Sequence, residues 1–295
     1  MKQSLTFYIT LFAIKLKGLK RNFSTVPIDF KKIRKADVSY PTGKFYEQNT
    51  IRNFNILNSS ITEIGLDPDS EKLLIFIHGG AFISGPTQHH WNFAKKIAKK
   101  TDYKIWICNY PKAPENNIIK ISQNIDSIYF AALEKYNSNQ ISLIGDSVGG
   151  TLIISLIQRL VLKKLKLPAK IILLSPVMDA SMTNPEIEKL NSVDPILSKI
   201  GVVSAKIMCV GEYGLKNTMI SPLYGSFEKF PHTILFLAKN DITYPDQKLA
   251  VQKLIEAKIN VELIEGKNMP HIWPILPIMK EAKIALNEII KILNV

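Results

Sequence analysis

The chain has little that would tie it to a metal, a disulfide scaffold or a membrane span. It holds two cysteines in 295 residues, Cys108 and Cys209. Both sit in apolar settings, Trp106-Ile107-Cys108 and Met208-Cys209-Val210, and neither has the spacing of a metal site. A disulfide framework is excluded, buried inert thiols are expected, and a reducing compartment fits. Residues 3–14 are uncharged and mostly apolar, yet fall short of the roughly 20 residues a spanning helix needs. Internal repeats and low-complexity tracts are absent. Acidic residues are scarce: 25 Asp and Glu face 38 Lys and Arg, a net charge of +13. The excess is concentrated in residues 1–35, where nine basic side chains (Lys2, Lys15, Lys17, Lys20, Arg21, Lys31, Lys32, Arg34, Lys35) oppose Asp29 alone, a net +8. No zinc-finger, RNA-recognition or basic-zipper pattern accompanies the charge, so nucleic acid is not an expected partner.

What is present is an ordinary globular composition, 46% apolar and 21% charged, sufficient for a substantial core. From residue 51 onward strand-like and helix-like runs alternate. A hairpin or two edge strands is read at Ile51–Ile56 and Ile61–Ile64. Strands follow at 73–77, 104–108, 141–144, 170–174, 233–238 and 261–264, and helices at 88–100, 117–136, 148–163, 246–258 and 275–292. Continuous apolar strands such as Leu73-Leu-Ile-Phe-Ile77 imply burial on both faces, hence a mostly parallel sheet flanked by helices. Residues 22–50 read as irregular. Residues 180–230 break the alternation, with one helical stretch near 195–210, and read as an insertion. Lysines follow residues 3–14 where a signal-peptide cleavage site would belong, so a retained helix is expected there. It either packs on the domain or lies at a membrane surface.

Ile141 to Thr151 organises the rest. A buried-type strand runs into Gly145-Asp146-Ser147-Val148-Gly149 and then into a long apolar helix, the context in which G-x-S-x-G marks a nucleophile elbow. Small residues at 145 and 149 let strand and helix approach closely, and the Val148 N–H at the helix start can face a developing negative charge. A phosphate cradle is disfavoured, because no lysine follows the glycines and Asp146 would repel the anion. A second glycine-rich loop, His78-Gly79-Gly80-Ala81-Phe82, follows strand 73–77 at the same sheet edge, where backbone N–H groups can approach an anionic oxygen. Of the five histidines, only His271, in the loop after strand 261–264, occupies the place of a general base in the order Ser, acid, His. Asp241, directly after strand 233–238, is the expected acid. Asp246 is the runner-up, at a helix start where a carboxylate is usually a cap.

Together, His78-Gly-Gly-Ala-Phe, Gly145-Asp-Ser-Val-Gly-Gly, Asp241-Ile-Thr-Tyr-Pro-Asp and His271 resemble the hormone-sensitive-lipase-like branch of the α/β-hydrolase esterases. Tyr110-Pro-Lys-Ala-Pro-Glu115 is similar to that family's Tyr-Arg-Leu-Ala-Pro-Glu segment, and Ser175-Pro-Val-Met-Asp179 to its Ser-Pro-x-x-Asp segment. The resemblance covers about residue 70 to the end. It implies an α/β-hydrolase fold with catalytic residues Ser147, Asp241 and His271, and an oxyanion hole from the N–H groups of Gly79, Gly80 and Val148. His78, Gly145, Asp146 and Gly149 support the motifs. It also implies a helical cap built from residues 1–50 and an insertion at about 180–220, over a catalytic domain of 51–295. No metal or organic cofactor is implied. The chain departs from the family at Val148, usually Ala, which adds bulk beside the nucleophile, and at Pro111-Lys112, where Arg-Leu is usual, so Lys112 is assigned no role. The expected activity is hydrolysis of small to medium acyl esters. The alternatives are an amide or lactone hydrolase, a non-catalytic small-molecule receptor on the same fold, and a structural or membrane-adaptor protein. A cytoplasmic location is expected, with peripheral contact at the inner membrane surface through residues 1–35 as the alternative to a cap role.

Overall fold

A computed structural model describes residues 3–48 and 51–295. Lys2 of the basic segment and the expected domain boundary at residue 50 lie outside them. The described elements are helices α1 (Leu5–Leu16), α2 (Leu19–Asn22), α3 (Phe30–Ile33) and α4 (Lys44–Gln48), then strands β1 (Ile51–Ile56), β2 (Ser59–Ile64) and β3 (Leu73–Ile77). They continue with α5 (Gln88–Ala98), β4 (Lys104–Asn109), α6 (Ile118–Leu133), β5 (Ile141–Asp146), α7 (Val148–Leu162) and β6 (Lys170–Leu174). The last are α8 (Ile187–Val193), α9 (Lys199–Val210), β7 (His232–Ala238), α10 (Tyr244–Glu256), β8 (Val261–Gly266) and α11 (Lys280–Leu293).

The strands form one eight-stranded sheet in the order β1-β2-β4-β3-β5-β6-β7-β8. β1 pairs with β2, and β2 with β4, antiparallel; every later pairing is parallel. The period-2 alternation of a strand divides the core in two. In β3, Leu73, Ile75 and Ile77 face one cluster with Ile121, Ile125, Leu152 and Ile157 of α6 and α7. Leu74 and Phe76 face the other, with Trp91 and Ile97 of α5 and Leu286 and Ile289 of α11. Each such fully buried aliphatic or aromatic side chain contributes about 1.5–3 kcal/mol over leaving it in water. The fold is therefore a helix–sheet–helix sandwich, as the continuous apolar strands required.

The departures from expectation are local. Residues 22–50 contain the short helices α3 and α4 rather than wholly irregular chain. The final helix starts at Lys280, not 275, because Pro277 interrupts the approach and Trp273–Ile275 forms only a single 3₁₀ turn. The segment from Ser175 to Pro231 leaves the sheet and carries α8 and α9. A third, smaller apolar cluster joins it to the N-terminus: Ile14 of α1 packs with Met182, Ile187, Ile196, Leu197, Val202 and Ile242. Ile28 donates its N–H to Ser204 Oγ of α9 at 2.9 Å, and Gly201 lies so close to the chain at Phe23 that a Cβ would fall 1.7 Å from its carbonyl oxygen.

Candidate active site

The loops that leave the C-terminal ends of β3, β5, β7 and β8 converge, as open parallel sheets dictate. Ser147 stands between β5 and α7 with φ 51° and ψ −122°, a left-handed strain for a residue with a Cβ, stored where the chain must reverse within one residue. Its neighbours explain the glycines. A Cβ on Gly149 would sit 2.0 Å from the Ile77 carbonyl oxygen, and one on Gly145 would sit 2.7 Å from the Gly149 carbonyl carbon.

Ser147, Asp241 and His271 form one connected hydrogen-bonded chain. Asp241 Oδ2 lies 2.6 Å from His271 Nδ1, and His271 Nε2 lies 2.8 Å from Ser147 Oγ. A carboxylate only accepts, so Nδ1 carries the proton and Nε2 is left to accept from the serine hydroxyl. All three are buried, Ser147 the most open at 8% exposed. Burial alone would push the His271 pKa down, but the charge and hydrogen bond of Asp241, joined by the charges of Asp194 and Asp146, raise it above the ordinary imidazole value.

The glycine-rich loop is fixed from behind. Asp146 Oδ1 accepts the Gly79 N–H at 2.9 Å, so Gly79, expected as an oxyanion donor, has its N–H committed to a carboxylate. The N–H groups of Gly80, Ala81 and Val148 have no acceptor among the described residues. Gly80 holds φ 118°, and a Cβ there would lie 2.2 Å from the Ser84 carbonyl oxygen, so only glycine fits. Asp146 is held in turn by His90, whose Nε2 lies 3.4 Å from it. Thr87 N–H donates to His90 Nδ1 at 2.9 Å, so the His90 proton sits on Nε2, toward Asp146. Burial would raise the Asp146 pKa, but His90, His89 and the Gly79 N–H more than offset it and the group stays below its ordinary value. His78 supports the loop from within: its Nδ1 donates to the Gly79 carbonyl at 2.6 Å, and its ring stacks on Tyr110 at 4.4 Å between centroids. Burial first, then Lys112 and His90, drive its pKa well down, so it is neutral. Val148 is buried in the main core cluster.

Asp246 makes no contact with His271 and does not cap α10. It lies inside the first turn, where Asn184 Nδ2 donates to it at 2.9 Å, and burial lifts its pKa to about 6. Lys112 donates to Asn109 Oδ1 at 2.5 Å, while Glu115 receives both terminal nitrogens of Arg34 at 2.7 and 2.8 Å. Asp179 accepts from Ser181 and from the Tyr224 hydroxyl and shapes the start of the insertion.

Three residues were not singled out by sequence reading. His90 is one of two adjacent histidines at the start of α5, and its role depends on reaching Asp146 across 56 positions. Asp194, in Asn191-Ser-Val-Asp194-Pro195, accepts the N–H groups of Ile196 and Leu197 through Oδ1 and that of Ile242 through Oδ2 at 3.0 Å. It thereby fixes the residue next to Asp241, and burial together with the Asp241 charge lifts its pKa to about 6. Lys206 of α9 is fully buried, its Nζ 4.3 Å from the Phe82 ring centroid and without a hydrogen-bond acceptor among the described residues. A carboxylate before proline, and a lysine set between Val202-Val203-Ser204-Ala205 and Ile207-Met208, are the signals the sequence offers for Asp194 and Lys206.

Comparison with known proteins bears on the family and the fold. A family profile of the alpha/beta hydrolase fold matches residues 74–275. An esterase of Acinetobacter venetianus is 27% identical over 202 residues, 68% of this chain and 66% of that protein. The hormone-sensitive lipase of Mus musculus is 26% identical over 151 residues, 50% of this chain and 19% of that protein. The match thus spans no more than 66% of the length of either curated relative. The crystal structure of an esterase from the bacterial hormone-sensitive lipase (HSL) family is similar with a TM-score of 0.85 at 21% identity, over 100% of this chain and 99% of that one, a likeness of fold. The chain belongs to the alpha/beta hydrolase fold family.

Proposed function

We propose that the protein is a serine carboxylic-ester hydrolase that works through an acyl-enzyme. The observation that carries this reading is the unbroken chain Asp241–His271–Ser147, at 2.6 and 2.8 Å, beside backbone N–H groups that have no other acceptor. His271 Nε2 takes the proton of Ser147 Oγ as the oxygen attacks the ester carbonyl, and the resulting imidazolium is stabilised by Asp241. The tetrahedral oxyanion is held by the N–H groups of Gly80 and Val148, with that of Ala81 adjacent. Collapse expels the alcohol, which takes the proton from His271, and leaves the acyl group on Ser147. Water, deprotonated by His271, then attacks the acyl-enzyme and releases the carboxylic acid. Residues 1–50 and about 180–220 act as a cap. The clustering of Ile28, Ala205 and Cys209 with Phe82 and Val148 supports this, and the proposed substrates are small to medium acyl esters.

The test is turnover of p-nitrophenyl esters of increasing chain length by Ser147→Ala, His271→Ala and the double variant. Each single change is expected to reduce turnover by several orders of magnitude, with the double variant little worse, because the residues act as a unit. An organophosphonate should label Ser147 covalently in the wild type and not in His271→Ala. Ester binding without turnover or labelling would assign the chain to a receptor role instead, and additive losses would dissolve the proposed unit.

A further inference from the structure

Helix α1 carries apolar side chains on both its inner and its outer face, with Thr6, Thr10 and Lys15 the only polar residues among them, which a solvated surface helix does not. Its inner face is accounted for: Phe7 packs into one core cluster and Ile14 into the cluster with α8 and α9. Its start is tied to the domain. Glu281 accepts from the Ser4 N–H and hydroxyl, both at 2.8 Å, and the Lys280 N–H donates to Thr6 Oγ1 at 3.0 Å. The helix is therefore held in one orientation. The outer face is not covered by any described residue. Leu5, Tyr8, Ile9, Phe12 and Leu16 are each between 47% and 75% exposed. At 100° per residue they occupy one stripe about 100° wide, directly opposite Phe7, Thr10 and Ile14. Lys15 is exposed beside this stripe and Arg21 is exposed just beyond the helix, and neither makes an ion pair among the described residues; Lys17 lies on the flank toward the domain, where its charge acts on His89.

We infer that α1 is a docking surface for an anionic lipid bilayer, with the stripe lying among the headgroups and the cations on lipid phosphates. Charge selects this occupant. An apolar stripe alone would suit many partners, but one flanked by unpaired cations, in the segment that holds most of the protein's excess positive charge, matches a negative surface. The helix lies in the plane of that surface rather than across it; no helix among the described residues is long and apolar enough to span.

The test is co-sedimentation of the full chain with vesicles of phosphatidylcholine, alone or with about one quarter phosphatidylglycerol. Binding is expected only to the anionic vesicles, and should be lost at about 0.5 M salt, where the Debye length shrinks to roughly 4 Å. Phe12→Ser with Leu16→Ser should weaken it by at least about tenfold, and Lys15→Gln or Arg21→Gln by about fivefold each. These side chains are exposed, so the thermal midpoint and circular dichroism should match the wild type, which checks folding without reference to esterase activity. Equal binding to both vesicle types, binding unaffected by the Phe12/Leu16 change, or no binding would overturn the inference. So would a dimer in sedimentation equilibrium that the Phe12/Leu16 change dissolves, since a second copy would then cover the stripe.

Discussion

Replacing Lys206 with methionine should make the protein more stable, although it removes a fully buried side chain of α9. The ammonium has left water without gaining an acceptor, and burial lowers its pKa from the ordinary 10.5 to about 7. Between those values the unfolded chain binds a proton that the native chain does not, so wild-type stability rises with pH across the window and bears the full penalty below it. At about 1.4 kcal/mol per unit, the penalty at pH 7 is on the order of 4 kcal/mol, and about 2 at pH 9. The contact with the Phe82 ring, 4.3 Å away, returns about 1 kcal/mol. Methionine fills nearly the same volume with no charge to desolvate. Lys206→Met is therefore expected to gain on the order of 3 kcal/mol at pH 7 and about 2 at pH 9, where the native amine is neutral and no cation faces the ring. Urea unfolding of both proteins at the two pH values measures the difference directly. A variant less stable than wild type at pH 7, by an amount that does not change with pH, would refute the reasoning and mean that the amine is satisfied in solution.

Two further outcomes bear on the site. Asp241→Asn should lower turnover on the order of 10⁴-fold by allowing the wrong imidazole tautomer, whereas Asp246→Asn, whose carboxyl meets only Asn184, should cost no more than about tenfold; the reverse order would displace Asp241 as the acid. Because neighbouring carboxylates raise the His271 pKa, kcat/KM should climb with pH through a midpoint above about 6.5. Asp194→Asn, by removing one of those charges, should move that midpoint down. A midpoint that rose in Asp194→Asn would contradict the assigned electrostatics.

Much of this architecture was legible in the residues. The parallel core follows from runs such as Leu73–Ile77, which can be buried on both faces only inside a helix-covered sheet, and the elbow follows from glycines at 145 and 149 flanking a serine. The order Ser147, Asp241, His271 could be read because each follows a strand end, and a parallel sheet places all such ends on one edge. Element boundaries were less secure where a proline competes with apolar periodicity, as at Pro277.

Local pattern carries no information about contacts between residues far apart in the chain, and those were decided by tertiary structure alone. The Gly79 N–H could be assigned to an oxyanion from its loop, but only the fold brings Asp146 within 2.9 Å to claim it. His90 is an ordinary helix-start histidine until packing sets it against Asp146, and Asp194 is a turn carboxylate until the insertion folds onto the loop of Asp241. The same holds for the N-terminus. Its residues state that α1 is apolar and that lysines surround it. Which half of the helix meets the core and which half meets water depends on how α1 is rotated against the insertion and α11, and that rotation is fixed by contacts such as Ser4 with Glu281 and Ile14 with Ile187 that no spacing along the chain encodes.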